Sequence, residues 1–205
     1  MLNVGLTGGI GSGKSTIDAF LRDKGAVIID FDTLAHRVEV PGCAAWAEIV
    51  QCFGREILNE DDTIDRGKLG GIVFRDRNKL MQLNGIVHPA VFNEWRLTLE
   101  RIQADNETAI VISDVPLLIE VEWHHYVDYI ILVYISPEEQ IQRIIKRNGF
   151  SRREAEERLN SQMAIDDKVP FADFVINNEG ALEETKAIVD KVWEILVQKE
   201  RSHRR

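Results

Sequence analysis

Cysteine is nearly missing from this 205-residue chain, which carries only Cys43 and Cys52. Their spacing fits neither a metal finger nor a CxxC pair, and two are too few for a disulfide framework, so both are expected as free thiols in a reducing compartment. Basic residues are also short: 25 Lys and Arg face 34 Asp and Glu, for a net charge of −9. That balance argues against a general nucleic-acid or anionic-membrane surface, so any phosphate-bearing ligand has to be met by local clusters of Arg and Lys. Long hydrophobic runs are lacking too. The longest, Tyr129 to Ile135, is far too short to span a bilayer as a helix. The stretch up to Gly5 has no uninterrupted apolar segment of the secretory kind, and a soluble, cytoplasmic protein is the expectation. Internal repeats and low-complexity linkers are likewise missing. What remains is globular in composition, 44% hydrophobic and 29% charged, with length for one substantial core and a smaller inserted unit.

Against this background the run Gly8-Gly9-Ile10-Gly11-Ser12-Gly13-Lys14-Ser15, followed by Thr16, stands out. Its spacing is that of a phosphate-binding loop. Glycines at 8, 9, 11 and 13 let the backbone turn tightly and aim N–H groups inward, while Lys14 reaches the outer phosphates and the Ser15 hydroxyl can ligate Mg²⁺. Such an octamer could be an ordinary turn, but its flanks argue otherwise. Leu2, Val4 and Leu6 form a strand, and Thr16 to Lys24 a helix with Ile17, Phe20 and Leu21 on one face. A strand, this loop and a helix N-terminus make an anion site from unpaired N–H groups and the helix dipole.

A second strand, Ala26 to Ile29, ends at Asp30-Phe31-Asp32, where carboxylates can face bound phosphates. Asp30 is assigned to capping the next helix and Asp32 to chemistry. Ala44 to Phe53 has a helical pattern with Trp46, Ile49, Val50 and Phe53 on one side, and Asn59-Glu60-Asp61-Asp62 a solvated acidic turn. From Asp65 to about Asp105 the pattern is helical, interrupted at His88-Pro89, and suits an insertion that holds a second substrate. A third strand, Thr108 to Ser113, leads to Asp114, an acid suited to orient Mg²⁺ or its water. Val115 follows where motor-type ATPases carry Glu, so a dedicated water-activating base is lacking. Trp123-His124-His125-Tyr126 offers adjacent histidines without a matching third ligand and reads as structural.

The fourth strand, Tyr129 to Ile135, is continuously apolar, as in a parallel sheet covered on both faces. Ser136-Pro137-Glu138-Glu139 starts a helix, with Ser136 as its cap. Ser151-Arg152-Arg153-Glu154 resembles a capping box. From Arg143 to Arg153 there are five basic residues, Arg143, Lys146, Arg147, Arg152 and Arg153. They form either a solvated face paired with Glu154, Glu156 and Glu157 or a lid that closes on a transferring phosphoryl group. Phe174 to Ile176 gives a fifth strand, and Leu182 to Lys199 the last helix, with Glu200 to Arg205 expected to fray. The alternation predicts a doubly wound, five-stranded, mostly parallel α/β sheet with a helical insertion and a basic lid.

Phosphoryl transfer needs neutralised phosphate charge, an oriented nucleophile and exclusion of water. Lys14 with Mg²⁺, the lid arginines and Asp32 supply these roles. A kinase for another hydroxyl acceptor, such as a nucleoside monophosphate or a shikimate-like acid, would use the same loop and lid. A nucleotide switch fits less well, because Asn78-Lys79 is followed by Leu80-Met81 and not by a guanine-reading motif.

Beyond the loop, an ordered set of segments resembles the dephospho-coenzyme A kinases. They are Leu6 to Ser15, Ile29-Asp30-Phe31-Asp32 before Leu34-Ala35, Phe53-Gly54 before Ile57-Leu58, and Ile64-Asp65-Arg66. Leu83 to Pro89, Pro116-Leu117-Leu118-Ile119-Glu120, and Ala172-Asp173 before Ile176-Asn177-Asn178 complete the set. The resemblance implies a P-loop kinase that transfers phosphate from ATP, with Mg²⁺, to the ribose 3′-hydroxyl of dephospho-coenzyme A. It implies a nucleotide core over 1–58 and 106–205, a coenzyme-A subdomain over 59–105 and a lid over 143–165. By motif position, Asp32, Lys14 and Arg143 look catalytic. Gly9, Gly11, Ser12, Gly13, Lys14, Ser15, Thr16, Arg147 and Asn178 correspond to ATP contacts. Thr7, Asp32, Arg66, His88 and Leu117 correspond to acceptor contacts, and Ser15 with Asp114 to the metal. Two stretches depart from the family pattern: Val38-Glu39-Val40-Pro41-Gly42, with its acid displaced from the usual Glu-Pro-Gly turn, and Met163 to Val169, with Asp166-Asp167.

Overall fold

The computed structural model describes residues 1–203, and the chain divides into two compact units, Met1–Ile29 with Asp105–Arg205, and Asp30–Ala104. The first unit is built on strands β1 (Leu2–Gly8), β2 (Val27–Asp30), β3 (Ile110–Asp114), β4 (Tyr129–Tyr134) and β5 (Phe174–Asn177), ordered β2-β3-β1-β4-β5. The pairings of β1 with β3, β1 with β4 and β4 with β5 are all parallel. Placing β1 between β3 and β4 leaves its seven residues buried. Leu2, Val4 and Leu6 join Ile17 and Leu21 of α1 (Lys14–Asp23), and Val189, Val192 and Leu196 of the C-terminal helix, in the main core. The alternate side of β1 is closely packed as well: a Cβ at Gly5 would come within 2.6 Å of the Leu118 side chain.

The second unit is helical: α2 (Phe31–Val38), α3 (Ala44–Phe53), α4 (Arg66–Val73) and α5 (Arg77–Asp105). Ile49, Phe53, Ile57, Leu58, Leu69 and Val73 form its core, with Trp46 and Val50 packed against it. Trp95, almost fully buried, meets Phe31 and Phe92 edge-on at 5.3 and 5.5 Å. The Asp65 carboxylate caps α4 by accepting from the Gly67 and Lys68 N–H groups.

Several expectations are corrected here. Pro89 does not interrupt its helix, because α5 runs 29 residues through it. The carbonyl that loses its donor belongs to Gly85, which is exposed and has open space around it, so water and the proline ring both find room. Packing by Leu83, Ile86 and Val87 before the proline, and by Val91 and Trp95 after it, holds both halves. The Ser136 side chain does not cap α6 (Pro137–Asn148). Its N–H instead donates to Glu179 Oε1 at 2.5 Å. The capping box at the start of α7 (Arg152–Leu159) is present in full. A short α8 (Ile165–Lys168) follows, and α9 (Leu182–His203) runs beyond Lys199. Glu200 lies one turn past the fully buried Leu196 and is itself buried, so this part of the segment expected to fray is helix; Arg204 and Arg205 lie outside the described residues. No helix among the described residues is long and apolar enough to cross a membrane.

Ile112, fully buried on β3, tests the main core. Ile112→Ala is expected to destabilise the first unit by about 2–5 kcal/mol in denaturant unfolding, through lost burial and the cavity left behind.

Candidate active site

The phosphate loop leaves β1 at Gly8 and enters α1 at Gly13, its N-cap. Gly11 and Gly13 have φ of +79° and +87°, the left-handed region that glycine enters without a steric penalty. The Ser12 N–H donates back to Gly9 O at 3.1 Å, and the Thr16 N–H to Gly13 O at 3.0 Å. Ser12 is buried, Lys14 and Thr16 are half-buried, and Ser15 is exposed at the helix start. Unsatisfied N–H groups of this first turn and the positive end of the helix dipole make the loop an anion cradle.

Strand register supplies the acid. Leu6 of β1 pairs with Asp114 of β3, which brings that carboxylate to the carboxyl end of the sheet beside the loop. Lys14 Nζ lies 3.7 Å from Asp114 Oδ1, with both side chains mostly buried. A second carboxylate escaped the sequence reading. Asp18 shares the face of α1 one turn after Lys14, is 8% exposed and hydrogen-bonds with Asp114. Burial first, and the neighbouring Asp114 charge next, push Asp18 up to about 8. Its spacing from Lys14 was the available signal. What the sequence could not show was that β3 would deliver a second acid to that face.

Arg143 on α6 borders the loop: a Cβ at Gly13 would lie 3.7 Å from its Nη1. It donates to Glu139 Oε1 at 2.7 Å and to the Asn178 carbonyl at 2.8 Å. The Asn178 side chain turns to the protein, donating to Ser12 O at 2.8 Å and accepting from Thr185 Oγ1. Thr7 is fully buried, its hydroxyl donating to Pro116 O at 3.2 Å. Leu117 is partly exposed on the following turn. Arg147 is exposed one turn beyond Arg143, bonded to Asn148. Of the remaining basic residues, Arg152 is forked onto Glu138 and also meets Glu156, while Arg153 meets Glu157, so these two belong to acid-paired helix surface. In the stretch from Met163 to Val169, Lys168 is fully buried and pairs with Glu120 at 2.7 Å.

The second unit holds Asp32, Arg66 and His88. Asp30 caps α2, its carboxylate accepting from the Asp32 and Thr33 N–H groups at 2.8 and 3.2 Å, which leaves Asp32 exposed in the first turn. Arg66 donates to Glu39 Oε2 at 2.7 Å, so the displaced acid of the Val38 to Gly42 turn is its partner. His88 is half-buried on α5, and burial lowers its pKa, leaving the imidazole neutral at neutral pH. Among the described residues, no group of three or more His, Cys, Asp or Glu could hold a metal, His124 and His125 included.

A phosphate loop at the carboxyl ends of a parallel sheet ordered β2-β3-β1-β4-β5 defines a P-loop kinase of the small-molecule type. A family model described as Dephospho-CoA kinase matches residues 2–184. A protein of Syntrophus aciditrophicus named Dephospho-CoA kinase is 56% identical over 205 residues, covering 100% of this chain and 87% of its own length. Among solved structures, one from Thermus thermophilus is 34% identical with a TM-score of 0.79, covering 95% of this chain and 97% of that one. The dephospho-CoA kinase from Campylobacter jejuni is 27% identical with a TM-score of 0.73, covering 96% and 98%. The chain belongs to the dephospho-CoA kinase family.

The Asp18 proton gives a pH test. Its carboxyl is raised from 3.8 to about 8 on folding, so the folded state holds a proton that the unfolded state has released across that window. Its contribution to stability is therefore full below about pH 4 and is lost as pH rises through 8. Asp18→Asn, which cannot titrate, is expected to flatten the fall in Tm between pH 5 and 8. It should also melt higher than wild type at pH 8, at about 2–4 °C per kcal/mol regained. Identical slopes for the two proteins would contradict the assignment.

Proposed function

We propose that this protein phosphorylates the ribose 3′-hydroxyl of dephospho-coenzyme A with ATP, giving coenzyme A and ADP, the last step of coenzyme A biosynthesis. The observation that carries this reading is the loop with Lys14, Asp114 and Arg143 around it, in a chain of the dephospho-CoA kinase family.

The N–H groups of Gly11, Gly13, Lys14 and Ser15, with the other loop residues shaping the turn, hold the β- and γ-phosphates, and Lys14 neutralises them. Arg143, at the loop's edge, meets the charge that spreads over the transferring phosphoryl group, with Arg147 one turn further along the same helix. Asp32, exposed in the first turn of α2, takes the proton of the acceptor hydroxyl. The new bond joins the 3′-oxygen to the γ-phosphorus, the bond from that phosphorus to the β,γ-bridging oxygen breaks, and ADP leaves with the electron pair. Arg66 and His88 hold the acceptor, one as a cation for its phosphate and one as a neutral hydrogen-bonding group. Leu117 offers an apolar contact. Thr7 acts from behind by fixing the Pro116 turn, and Asn178 by fixing the loop at Ser12.

Mg²⁺ fits the donors present. The Ser15 hydroxyl and the Asp114 carboxylate are hard oxygen ligands beside the loop, and a few protein ligands suffice for an ion that arrives with phosphates and water. When bound, it would neutralise charge on the β- and γ-phosphates. A cytoplasmic location is part of the same reading, in keeping with the free thiols of Cys43 and Cys52.

ADP release measured against a panel of hydroxyl acceptors is the direct test. Stimulation is expected with dephospho-coenzyme A, and its failure to exceed shikimate or a nucleoside monophosphate would overturn the acceptor assignment. Asp32→Asn is expected to lower kcat by about 10²–10⁴-fold with ATP affinity nearly unchanged. Lys14→Ala should weaken phosphate stabilisation, and full activity in that variant would rule out the loop's assigned role.

A further inference from the structure

The tip of the phosphate loop is gripped at one residue, Ile10, from two sides, through the two peptide units that flank its Cα. Gln140, in the first turn of α6, donates from Nε2 to the Ile10 carbonyl at 2.9 Å. Gln162, just beyond α7, accepts from the Ile10 N–H through Oε1 at 3.1 Å. These glutamines lie 130 and 152 residues along the chain from Ile10 and at the two roots of the α6–α7 hairpin, the hairpin that carries Arg143. The contact is built in. Gln140 is fully buried, and among the described residues its Oε1 has no hydrogen-bond partner and the bond to Ile10 is its side chain's one hydrogen bond. Gly9 is shaped to it as well. Its φ is not positive, and a Cβ at Gly9 would run into the Gln140 amide, so this glycine answers the approach of a side chain and not a turn.

We propose that Gln140 and Gln162 are positioning residues that latch the phosphate loop to both roots of the α6–α7 hairpin, holding the loop's N–H groups in their phosphate-binding arrangement and in fixed register with Arg143. Neither side chain needs to touch the nucleotide. The latch acts through Ile10, whose backbone N–H and carbonyl are both engaged, so the loop does not have to be ordered by the incoming phosphate. Preorganisation of this kind shows up as donor affinity, since a loop already in its binding form has less conformational freedom to lose. Hydrogen bonds inside the loop, such as Ser12 to Gly9, cannot supply the register with Arg143 because they connect the loop only to itself.

The inference rests on the phosphate loop being the ATP site but not on the identity of the acceptor. Gln162 is half-buried, which makes it the safer position to change. Gln162→Met keeps the length of the side chain and removes the acceptor oxygen. It is expected to speed hydrogen exchange at the Ile10 amide and to weaken ATP binding about five- to tenfold, the scale of one lost hydrogen bond. The KM for the acceptor and the Tm should stay at wild-type values. A merely structural role would instead lower the Tm and raise both KM values together, and that result would overturn the latch. Wild-type ATP affinity in Gln162→Met would overturn it as well. Gln140→Met, which removes the other half of the grip, should weaken ATP binding in the same direction, again with the acceptor KM unchanged. If wild type binds ATP but does not phosphorylate dephospho-coenzyme A, the acceptor assignment fails; weakened ATP binding in Gln162→Met would still support the latch.

Discussion

Keeping backbone N–H groups pointed at a place where no protein atom sits is the constraint on which the nucleotide-binding unit is built. Left alone, a glycine-rich segment gains entropy by moving, and its unpaired donors would seek water or other partners. The fold answers with bonds to the loop's carbonyls and, at Ile10, to one of its donors through Gln162. Gln140 takes Ile10 O, Asn178 takes Ser12 O, and the loop's own Ser12 N–H takes Gly9 O. Sheet order contributes by setting β1 between β3 and β4, so that the loop leaves from the middle of the unit with neighbours on both sides.

Charge is handled by the same economy. In a protein with net charge −9, the cations near the loop are few and each is positioned. Lys14 faces Asp114, and Arg143 is held between Glu139 and the Asn178 carbonyl. The arginines further out, Arg152 and Arg153, are engaged by glutamates on the hairpin surface. Thus three of the five basic residues that look like one patch in the sequence do two jobs. Arg143 borders the phosphate loop, while Arg152 and Arg153 stabilise the helices that carry it.

What could be read in advance was whatever is local in the chain. The loop's spacing, the capping box at Ser151, the helical run Ala44 to Phe53 and the cap that Asp30 places on α2 all depend on residues within a few positions of one another, where propensity and capping rules operate. What could not be read depends on distant partners. Pro89 sits inside a helix because core packing on both sides outweighs one lost hydrogen bond. Ser136 is tied instead through its backbone, whose N–H donates to Glu179, 43 residues on, while its hydroxyl makes no cap. Asp18, raised first by burial, is raised further where strand register brings Asp114 beside it, and Gln140 and Gln162 acquire their meaning from Ile10, over a hundred residues away.

The Glu39–Arg66 pair has a further consequence. Arg66 is already neutralised by a carboxylate attached to the same helical unit, so an incoming anion does not find a bare cation. It has to exchange with Glu39. A group with one charge and two oxygens offers Arg66 little that the glutamate does not already provide, whereas a phosphate brings greater charge and a third oxygen. On the proposed acceptor role of Arg66, an internal rival of this kind would act as a threshold against weak anions that a free guanidinium would collect.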